Sequence, residues 1–573
     1  MIYSIAKKIL RVNKEFKRRF FDQIMRRKLY KFELDVSNVI PPKVVFDEGL
    51  ILQIIDSHDK NQIIRTADYQ LEGKYYIYRY EIVDIGEEVS KYFSFDYINK
   101  YLWASDIYYR DTVLRPTESA DIKVPWEFSR LHQLVVFSIA YYLTGEVKYK
   151  EAMVRHLKIF INSNPPMKGI NWYYSMEVSI RLTNMILALD ICSARDNEQI
   201  ELIEIESYIR YSISHMMSNL EWRGGIRNNH YFVGLFGLLY ASLRYSKDDD
   251  YSLLASFANK EINCELNVHI LDDGGGAELS TGYHKLNIES LLYFLRVREE
   301  HKEILKCIDF IKVLKLLFKY PMCPIELKLR SDDSKIDYFI RINKAIKFFK
   351  SIATSDGEFP LIGDNDSGRI IKLYPLVSEK KMSWSNFNHL LGFDNILKVD
   401  ESADFITLST LDNEVVNVEL QSMSLLFNHV AKDVSYRHFP SFGLLVVKGD
   451  GLFMTIKTSC QGRIIPGHHH DDILSITLNL NGEWLYQDNG TYSYNQNRKC
   501  YLENKRNTNH NVSYVDKPDF VFFDDVFGTL NVRSEKKLFF TLIKNNSGVS
   551  LYCARDLVVE NKNYYPDYYM SLI

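Results

Sequence analysis

The spacing of apolar residues changes once along the chain, from a helical period to a strand period. Between residues 125 and 350, apolar positions recur every three or four residues, the spacing that buries one face of a helix. Consecutive amphipathic helices with short connections form antiparallel hairpins, which can stack into a bundle, a solenoid or a closed toroid. The pattern predicts helices at 131–143, 176–191, 231–243, 288–297 and 304–318.

After about residue 400 the period becomes two. Apolar and polar residues alternate over 474–480, Asn481-Gly482 supplies a hairpin turn, and a second strand returns over 483–487. A two-residue hairpin at this turn places Asp488 opposite Ser475. The C-terminal part is therefore expected to be an antiparallel sheet domain, arranged as a sandwich. Further strands are predicted at 442–447, 452–458 and 537–543.

The length of the chain, 573 residues, is too great for a single hydrophobic core. We expect an α+β multidomain protein with a mixed N-terminal region at 1–120, a helical domain at 121–400 and a sheet domain at 401–573. Aromatic residues make up 14%, with 39 Tyr, which suits a groove that stacks sugars, although an AT-rich genome gives the same enrichment. The net charge of −3 argues against nucleic-acid binding through bulk charge.

Nothing in the sequence has the form of a membrane-spanning segment or a signal peptide, since basic residues interrupt the first apolar stretch at Lys7 and Lys8. The basic residues between 7 and 28 are expected to form a solvated helix face, or else to contact an anionic surface. The seven Cys are scattered without a C-x-x-C pair, as in a reducing compartment. These features predict a cytoplasmic protein.

The densest cluster of chemically active side chains is the run 467–472, Gly-His-His-His-Asp-Asp. Three imidazoles and two carboxylates cannot form a packed core strand, because ionisable groups are rarely buried without partners. Asp488 and His510 follow on separate segments, and a tetrahedral zinc accepts His, Asp and His ligands. The loop must curl back to join them, which Gly467 permits. An imidazole left beside such a site is available for proton transfer near neutral pH.

Two other groups of polar residues precede predicted helices. Asn228, Asn229 and His230 stand directly before the helix at 231–243, where free backbone N–H groups favour a bound carboxylate. The alternative is that an Asn is merely the N-cap. The glycine loop 274–276 allows close backbone approach and leads to Tyr283-His284 at the start of the next helix.

Taken in order, these motifs resemble the heparinase II/III family of polysaccharide lyases over about residues 120–530. The resemblance covers Asn228–His230, the Asp-Gly-Gly…Glu-Leu-Ser…Tyr-His run at 272–284, the Gly-His-x-His run at 467–470 and the Arg-Asn-Thr-x-His-Asn run at 506–511. Further residues that resemble this family lie at 125–130, at Trp172, Glu177 and Arg181, and at 363–366. The resemblance implies an N-terminal (α/α) toroid followed by an antiparallel β-sandwich.

The resemblance also implies roles for single residues. Asn229 and His230 would bind a uronate carboxylate, Tyr283 would be the catalytic phenol, and His468 its partner base. A structural zinc would be held by His470, Asp488 and His510. Substrate contacts would come from Asn228, Glu278, His284, Trp172 and Arg181.

The activity implied is β-elimination on an acidic polysaccharide that contains uronic acid. A uronyl C5-epimerase is the nearest alternative, because it abstracts the same proton without expelling the leaving sugar. A non-catalytic glycan-binding or assembly protein is an alternative of another class. A zinc hydrolase is disfavoured, because the chain has no H-E-x-x-H motif.

Overall fold

The structure is a computed structural model, and it describes most of the chain. The described residues are 22–23, 40–77, 82–198, 202–222, 227–305, 310–320, 338–365, 368–373, 377–378, 381–382, 405–409, 423–431, 433–488, 491, 502, 505–506, 510–513, 520–526, 529–535, 537–545 and 548–559. The basic residues predicted to form a helix face, at 7–19 and 26–28, lie outside this part of the chain.

Helices dominate the chain from residue 48 to residue 351. They are α1 (Glu48–Asp56), α2 (Lys60–Leu71), α3 (Val89–Tyr92), α4 (Lys123–Ser129), α5 (His132–Thr144), α6 (Val147–Ser163), α7 (Ser175–Asp196), α8 (Ile203–Ser218), α9 (Asn229–Arg244), α10 (Asp249–His269), α11 (Thr281–Glu300), α12 (Lys302–Leu305), α13 (Phe310–Phe318) and α14 (Tyr338–Ser351), with 3-10 helices at Tyr109–Asp111 and Ile170–Trp172.

Four of the predicted helices are confirmed as α5, α7, α9 and α11. The fifth prediction, 304–318, falls on α12 and α13, and its residues 306–309 lie outside the described part of the chain. Gly145 ends α5 in the left-handed region at φ 73°, which a residue without Cβ adopts at little cost.

The helices of the first half form two layers. Helices α2, α5, α7 and α9 pack side by side in that order, while α6 and α8 return the chain along them. Helix α7 is buried on every side from Ser175 to Ser193, as expected for a helix inside a double layer. Successive hairpins that alternate between two layers are the building unit of an (α/α) toroid.

Antiparallel strands dominate the chain after residue 405. They are β7 (Ile406–Thr407), β8 (Met423–His429), β9 (Val434–Phe439), β10 (Leu444–Gly449), β11 (Leu452–Lys457), β12 (Ile476–Leu480), β13 (Glu483–Tyr486), β14 (Val512–Ser513), β15 (Phe522–Val526), β16 (Thr529–Arg533), β17 (Leu538–Asn545), β18 (Gly548–Ala554) and β19 (Val558–Val559). Short two-residue strands come earlier: β1 (Lys74–Tyr75), β2 (Val83–Asp84), β3 (Phe95–Asp96), β4 (Tyr101–Leu102), β5 (Val377–Ser378) and β6 (Lys381–Met382).

Two sheets enclose one hydrophobic core. The first has the order β13-β12-β11-β10-β9-β7 and the second the order β15-β16-β17-β18-β8. Val447 and Met454 of the first sheet are fully buried in one cluster with Val532 and Leu551 of the second. Two antiparallel sheets that share a core form a sandwich, so the predicted fold class is confirmed: paired helices followed by antiparallel sheets.

The predicted hairpin at Asn481-Gly482 is confirmed, but its register is not regular. Leu480 pairs with Glu483 and Asn479 with Trp484, whereas a β-bulge shifts Leu478 onto Tyr486. The expected pairing of Asp488 with Ser475 is therefore wrong by one residue, because the bulge adds a residue to the returning strand.

Contacts divide the chain into two compact units that are not continuous in sequence. The first, here the helical unit, comprises 1–265, 289–336 and 369–375; the second, the sheet unit, comprises 266–288, 337–368 and 376–573. The three sequence domains with boundaries at 120 and 400 stay a prediction. Among the described residues, no helix has the length and apolar content needed to cross a bilayer.

Candidate active site

Tyr283 lies in the first turn of α11, within the sheet unit, and its local chain is tied to residues 362–364. The Ser280 hydroxyl accepts a hydrogen bond from the Tyr283 amide at 3.1 Å, which caps the helix, and donates to the Asp364 carbonyl at 2.5 Å. The Thr281 amide donates to the Ile362 carbonyl at 2.9 Å. The start of α11 is therefore fixed against a second segment of the same unit.

Gly363 allows a third segment to join the other two. It has φ +69°, and a Cβ at this position would lie 2.6 Å from the Leu279 carbonyl oxygen and 2.8 Å from that of His468. The next amide, that of Asp364, donates to the His468 carbonyl at 2.9 Å. The chain passes this closely only because the residue is glycine.

Tyr283 and His468 meet as a result. Their rings are stacked, with centroids 3.6 Å apart and planes 20° from parallel. Both side chains are nearly buried, at 4% and 7% exposure. The phenol and the imidazole predicted to act together thus occupy one place in the sheet unit.

Asp364 is the residue that the sequence prediction left without a role, although it lies in the 363–366 motif. Its carboxylate accepts from His468 Nδ1 at 3.0 Å on Oδ2 and from His470 Nε2 at 2.8 Å on Oδ1. Lys505 Nζ lies 3.0 Å from Oδ2, and the carboxylate is fully buried. Burial alone would raise the pKa of Asp364, but the hydrogen bonds of the two imidazoles lower it well below its usual range.

The predicted zinc ligands lie close together, and each imidazole is held by a carboxylate. His510 Nδ1 donates to Asp488 Oδ2 at 2.8 Å, and the His510 ring is 5.4 Å from the His470 ring between centroids. Burial alone would lower the pKa of His510, but the charge and hydrogen bond of Asp488 raise it. Within the described residues, no cluster of three or more His, Cys, Asp or Glu is arranged as a metal centre.

The remaining nitrogens of these imidazoles test whether a metal ion fits. A carboxylate only accepts hydrogen bonds, so His470 carries its proton on Nε2 and His510 carries one on Nδ1. The opposite atoms, His470 Nδ1 and His510 Nε2, are buried and have no hydrogen-bond partner among the described residues. Two buried nitrogens oriented by carboxylates match the way proteins present imidazoles to a metal. Asp488 accepts the hydrogen bond of His510 on Oδ2, and the predicted zinc site of His470, Asp488 and His510 stays a prediction.

An open groove of about 710 Å³ runs beside this loop in the sheet unit, with His469, Lys505 and Phe520 among its lining residues. The pKa of His469 is lowered, first by burial and then by the charge of Lys505. The groove also contains Lys457, Asp471 and Asp472, so an aromatic ring and groups of both charges line it.

The predicted carboxylate-binding residues lie in the helical unit, at the start of α9. Asn228 occupies the N-cap position, but its side chain makes no capping hydrogen bond, and Asn229 is fully buried. His230 Nδ1 is 2.8 Å from Glu221 Oε2, and the imidazole packs edge-on against Tyr174. Burial alone would lower the pKa of His230, but the charge and hydrogen bond of Glu221 raise it. Glu221 was not predicted; no motif marks it.

Other residues predicted to contact substrate lie in the interior of their units. The Arg181 guanidinium is 5.6 Å from the Trp172 ring centroid and donates to the Asn171 carbonyl at 3.0 Å, and both Trp172 and Arg181 are fully buried. Their observed contacts are packing contacts, and their predicted contact with a substrate stays a prediction.

Glu278 and His284 are buried in the sheet unit, at 2% and 1% exposure. The His284 ring packs edge-on against Phe348 at 5.2 Å, and burial lowers its pKa to about 4, so the ring is neutral near pH 7. A substrate role for these two residues also stays a prediction.

The double layer of helices and the antiparallel sandwich define the class of fold, and a comparison with known protein families finds a match to the helical part of the chain. Residues 79–322 match the family profile described as heparinase II/III N-terminus. This helical part of the chain is therefore similar to the N-terminal domain of the heparinase II/III family.

Solved structures to which the chain is similar include heparinases. A crystal structure of heparinase III aligns with a TM-score of 0.47 at 14% identity, with 88% of this chain and 73% of that chain covered. The heparan sulfate lyase HepC from Pedobacter heparinus aligns with a TM-score of 0.40 at 15% identity, with 90% and 70% covered. No curated protein matches the chain.

Proposed function

We propose that the protein is a polysaccharide lyase that cleaves a uronic-acid-containing acidic glycan by β-elimination. The observation that carries the proposal is the stacking of Tyr283 on His468, with ring centroids 3.6 Å apart. The match of residues 79–322 to the heparinase II/III N-terminus profile supports it. The substrate would be a polymer of uronic acid and a second sugar.

The elimination needs a base for the C5 proton of the uronate and an acid for the O4 of the leaving sugar. His468 donates from Nδ1 to Asp364, so its Nε2 carries the lone pair that a base requires. Where the C5 proton and O4 lie on the same face of the ring, Tyr283 would first give its proton to His468, then take the C5 proton as a phenolate and pass that proton to O4. Where they lie on opposite faces, His468 would take the C5 proton and Tyr283 would protonate O4.

The C5 proton is acidic only if the adjacent carboxylate is neutralised, because negative charge develops there in the transition state. Asn229 and His230 are proposed for this task. The Asn228 side chain makes no capping hydrogen bond at the start of α9, and the neighbouring Glu221 favours the charged form of His230. Amide, imidazolium and helix N–H donors all stabilise an anion.

A zinc ion is proposed as a structural component, held by His470, Asp488 and His510, with Asp488 also accepting a hydrogen bond from His510 Nδ1. When bound, zinc would supply a fixed anchor for the loop that carries His468; the elimination consumes no water. Metal analysis of the purified wild type and of His470→Ala tests this. We expect about one zinc per chain in the wild type and a loss in the variant; a variant that keeps its zinc contradicts the ligand assignment.

The lyase proposal is tested by incubating the protein with a panel of uronate polymers. A lyase yields shorter chains with an unsaturated end that absorbs ultraviolet light. An epimerase instead exchanges the C5 hydrogen for solvent deuterium without shortening the chain, and that result would replace the proposal. Binding without either change, unaffected by Tyr283→Phe, would indicate a glycan-binding protein.

A further inference from the structure

One carboxylate in the sheet unit, that of Asp364, bonds two imidazoles that the proposed mechanism uses for different purposes. Oδ2 accepts from His468 Nδ1 at 3.0 Å, and Oδ1 accepts from His470 Nε2 at 2.8 Å. Each carboxylate oxygen thus accepts a hydrogen bond from one imidazole. The site residues predicted from motifs include neither Asp364 nor this link.

The bond to a carboxylate decides which nitrogen of each imidazole carries the proton. Because a carboxylate has no proton to give at neutral pH, the imidazole nitrogen that faces it must be the protonated one. His468 is then left with a lone pair on Nε2, as a base requires, and His470 with a lone pair on Nδ1. The Nδ1 atom of His470 is buried and has no partner among the described residues. The two imidazoles are therefore set in opposite tautomers by one group.

Asp364 is itself held firmly. Its amide donates to the His468 carbonyl at 2.9 Å, and its own carbonyl accepts from the Ser280 hydroxyl at 2.5 Å. Lys505 Nζ lies 3.0 Å from Oδ2 and also contacts the Gly467 carbonyl, so the cation balances the buried charge and restrains the loop.

We propose that Asp364 is a positioning residue shared by the two imidazoles: it fixes His468 as a proton acceptor through Nε2 and His470 as a metal ligand through Nδ1. This inference rests on the proposed function for the role of His468. In this proposal Asp364 acts through its two neighbours, in the way that outer partners of metal-bound imidazoles orient them.

The two substitutions at Asp364 have different expected effects. An Asn side chain accepts on one atom and donates from the other. Lys505 repels the amide N–H group, so in Asp364→Asn the amide oxygen stays beside Lys505 and His468, and the nitrogen faces His470. His470 must then move its proton to Nδ1, the atom needed for the metal. Asp364→Ala removes both hydrogen bonds.

Zinc affinity, measured with a competing chelator, is the first readout. We expect Asp364→Asn to bind zinc about 10- to 100-fold more weakly than the wild type, with kcat reduced less when zinc is saturating. Asp364→Ala is expected to lower both zinc affinity and kcat about 10- to 100-fold, with KM nearly unchanged. Asp273→Asn is the matched control, because Asp273 bonds the backbone amides of Gly275 and Phe442 in the same unit.

A double-variant comparison separates positioning from general stabilisation. In the His468→Ala background, Asp364→Ala should lower the residual kcat no further, because the group it acts through is gone. An equal loss in both backgrounds would mean that Asp364 only supports the fold, and would overturn the proposal. If only zinc affinity or only kcat changes, Asp364 serves one imidazole and the shared role is overturned as well.

The tautomers of His468 and His470 can be measured in the wild-type protein, so this test does not require that the Asp364 variants fold. Histidine-selective 15N labelling, with resonances assigned through His468→Gln and His470→Gln, should show His468 protonated on Nδ1 and His470 on Nε2. A proton on Nε2 of His468 would overturn the proposal. If no uronate polymer is cleaved, the proposed function fails, while the tautomer and zinc measurements still decide the role of Asp364.

Discussion

Glu221 Oε2 lies 2.8 Å from His230 Nδ1 and places a carboxylate behind the imidazole in the first turn of α9. The same carboxylate accepts from the Met176 amide at 3.1 Å, at the start of α7. Glu221 therefore both caps one helix and faces a histidine on another.

This pair predicts how glycan cleavage depends on pH. Burial and Lys123 lower the pKa of His230, while Glu221 and Glu177 raise it, and the net shift is upward. His230 is fully protonated at low pH, and its positive charge is lost as pH rises through this raised pKa. Glu221→Gln keeps an acceptor for Met176 but removes the charge, so the loss should begin at lower pH.

The measurement is the pH profile of kcat/KM for the wild type and Glu221→Gln. We expect kcat/KM of the variant to be about tenfold lower on the alkaline side and closer to wild type in acid. Glu88→Gln is the control, because Glu88 is an exposed glutamate of the same unit paired with Lys91. An alkaline limb at the same pH in all three proteins would show that His230 does not act as a cation.

Removal of either member of the stacked pair should reduce turnover without unfolding the protein. Tyr283→Phe and His468→Ala are each expected to lower kcat about 10²- to 10⁴-fold, the usual contribution of a general acid or base. Tyr486→Phe and His429→Ala, on strands β13 and β8, are matched controls and should keep wild-type kcat. Activity within threefold of wild type in Tyr283→Phe would exclude the phenol from the chemistry.

Gly363→Ala should be markedly destabilising, since it adds a close contact to an unfavourable backbone conformation. The new Cβ would lie 2.6 Å from the Leu279 carbonyl oxygen at φ +69°. Gly86→Ala is the matched control, because Gly86 has φ +51° and open space around its Cβ position. Urea unfolding should give a loss of about 1 kcal/mol for the control and more than about 2 kcal/mol for Gly363→Ala. An equal loss of unfolding free energy in the two variants would mean that the backbone around residue 363 moves to relieve the close contact.

Acid should destabilise the helical unit through its buried neutral histidines. Burial lowers the pKa of His215 to about 3, outweighing the hydrogen bond between Nε2 and the Trp172 carbonyl at 2.9 Å. As pH falls below about 6.5, His215 binds a proton in the unfolded chain but not in the folded chain. The free energy of unfolding therefore decreases on acidification. One such residue costs about 2 kcal/mol at pH 5.

His215→Gln tests this directly, because glutamine can still donate to the Trp172 carbonyl but does not titrate. Urea unfolding between pH 7.5 and pH 5 should show that the variant takes up about one proton fewer on unfolding. An unchanged pH slope in His215→Gln would show that His215 is charged in the folded protein.

Much of the fold could be predicted from local sequence, because periodicity reports which side of an element is buried. The helix predicted at 231–243 is α9, and the strand predicted at 452–458 is β11. The hairpin turn at Asn481-Gly482 follows from residues that tolerate positive φ. The bulge at Leu478 was beyond prediction, since nothing in an alternating strand marks where an extra residue enters the partner.

Residues of the candidate site could be predicted only where they belong to a recognisable sequence motif with a known role. Tyr283, His468, His470 and His510 were named from the order of short motifs, and the structure brings Tyr283 to His468 and His470 to His510. The central carboxylate of Asp364 was missed because it lies 104 residues from His468 along the chain, in a motif without an evident task. Long-range side-chain pairing leaves no local pattern in a sequence.

The discontinuous make-up of the sheet unit has a practical consequence for dissecting the protein. A fragment excised at residue 401 would carry His468, His470 and His510 but neither Tyr283 nor Asp364, which the chain supplies from 266–288 and 337–368. Such a fragment would expose the surface that these two stretches cover. It would also leave His468 and His470 without the carboxylate that accepts their hydrogen bonds. Chimeras and truncations should therefore move the three stretches together.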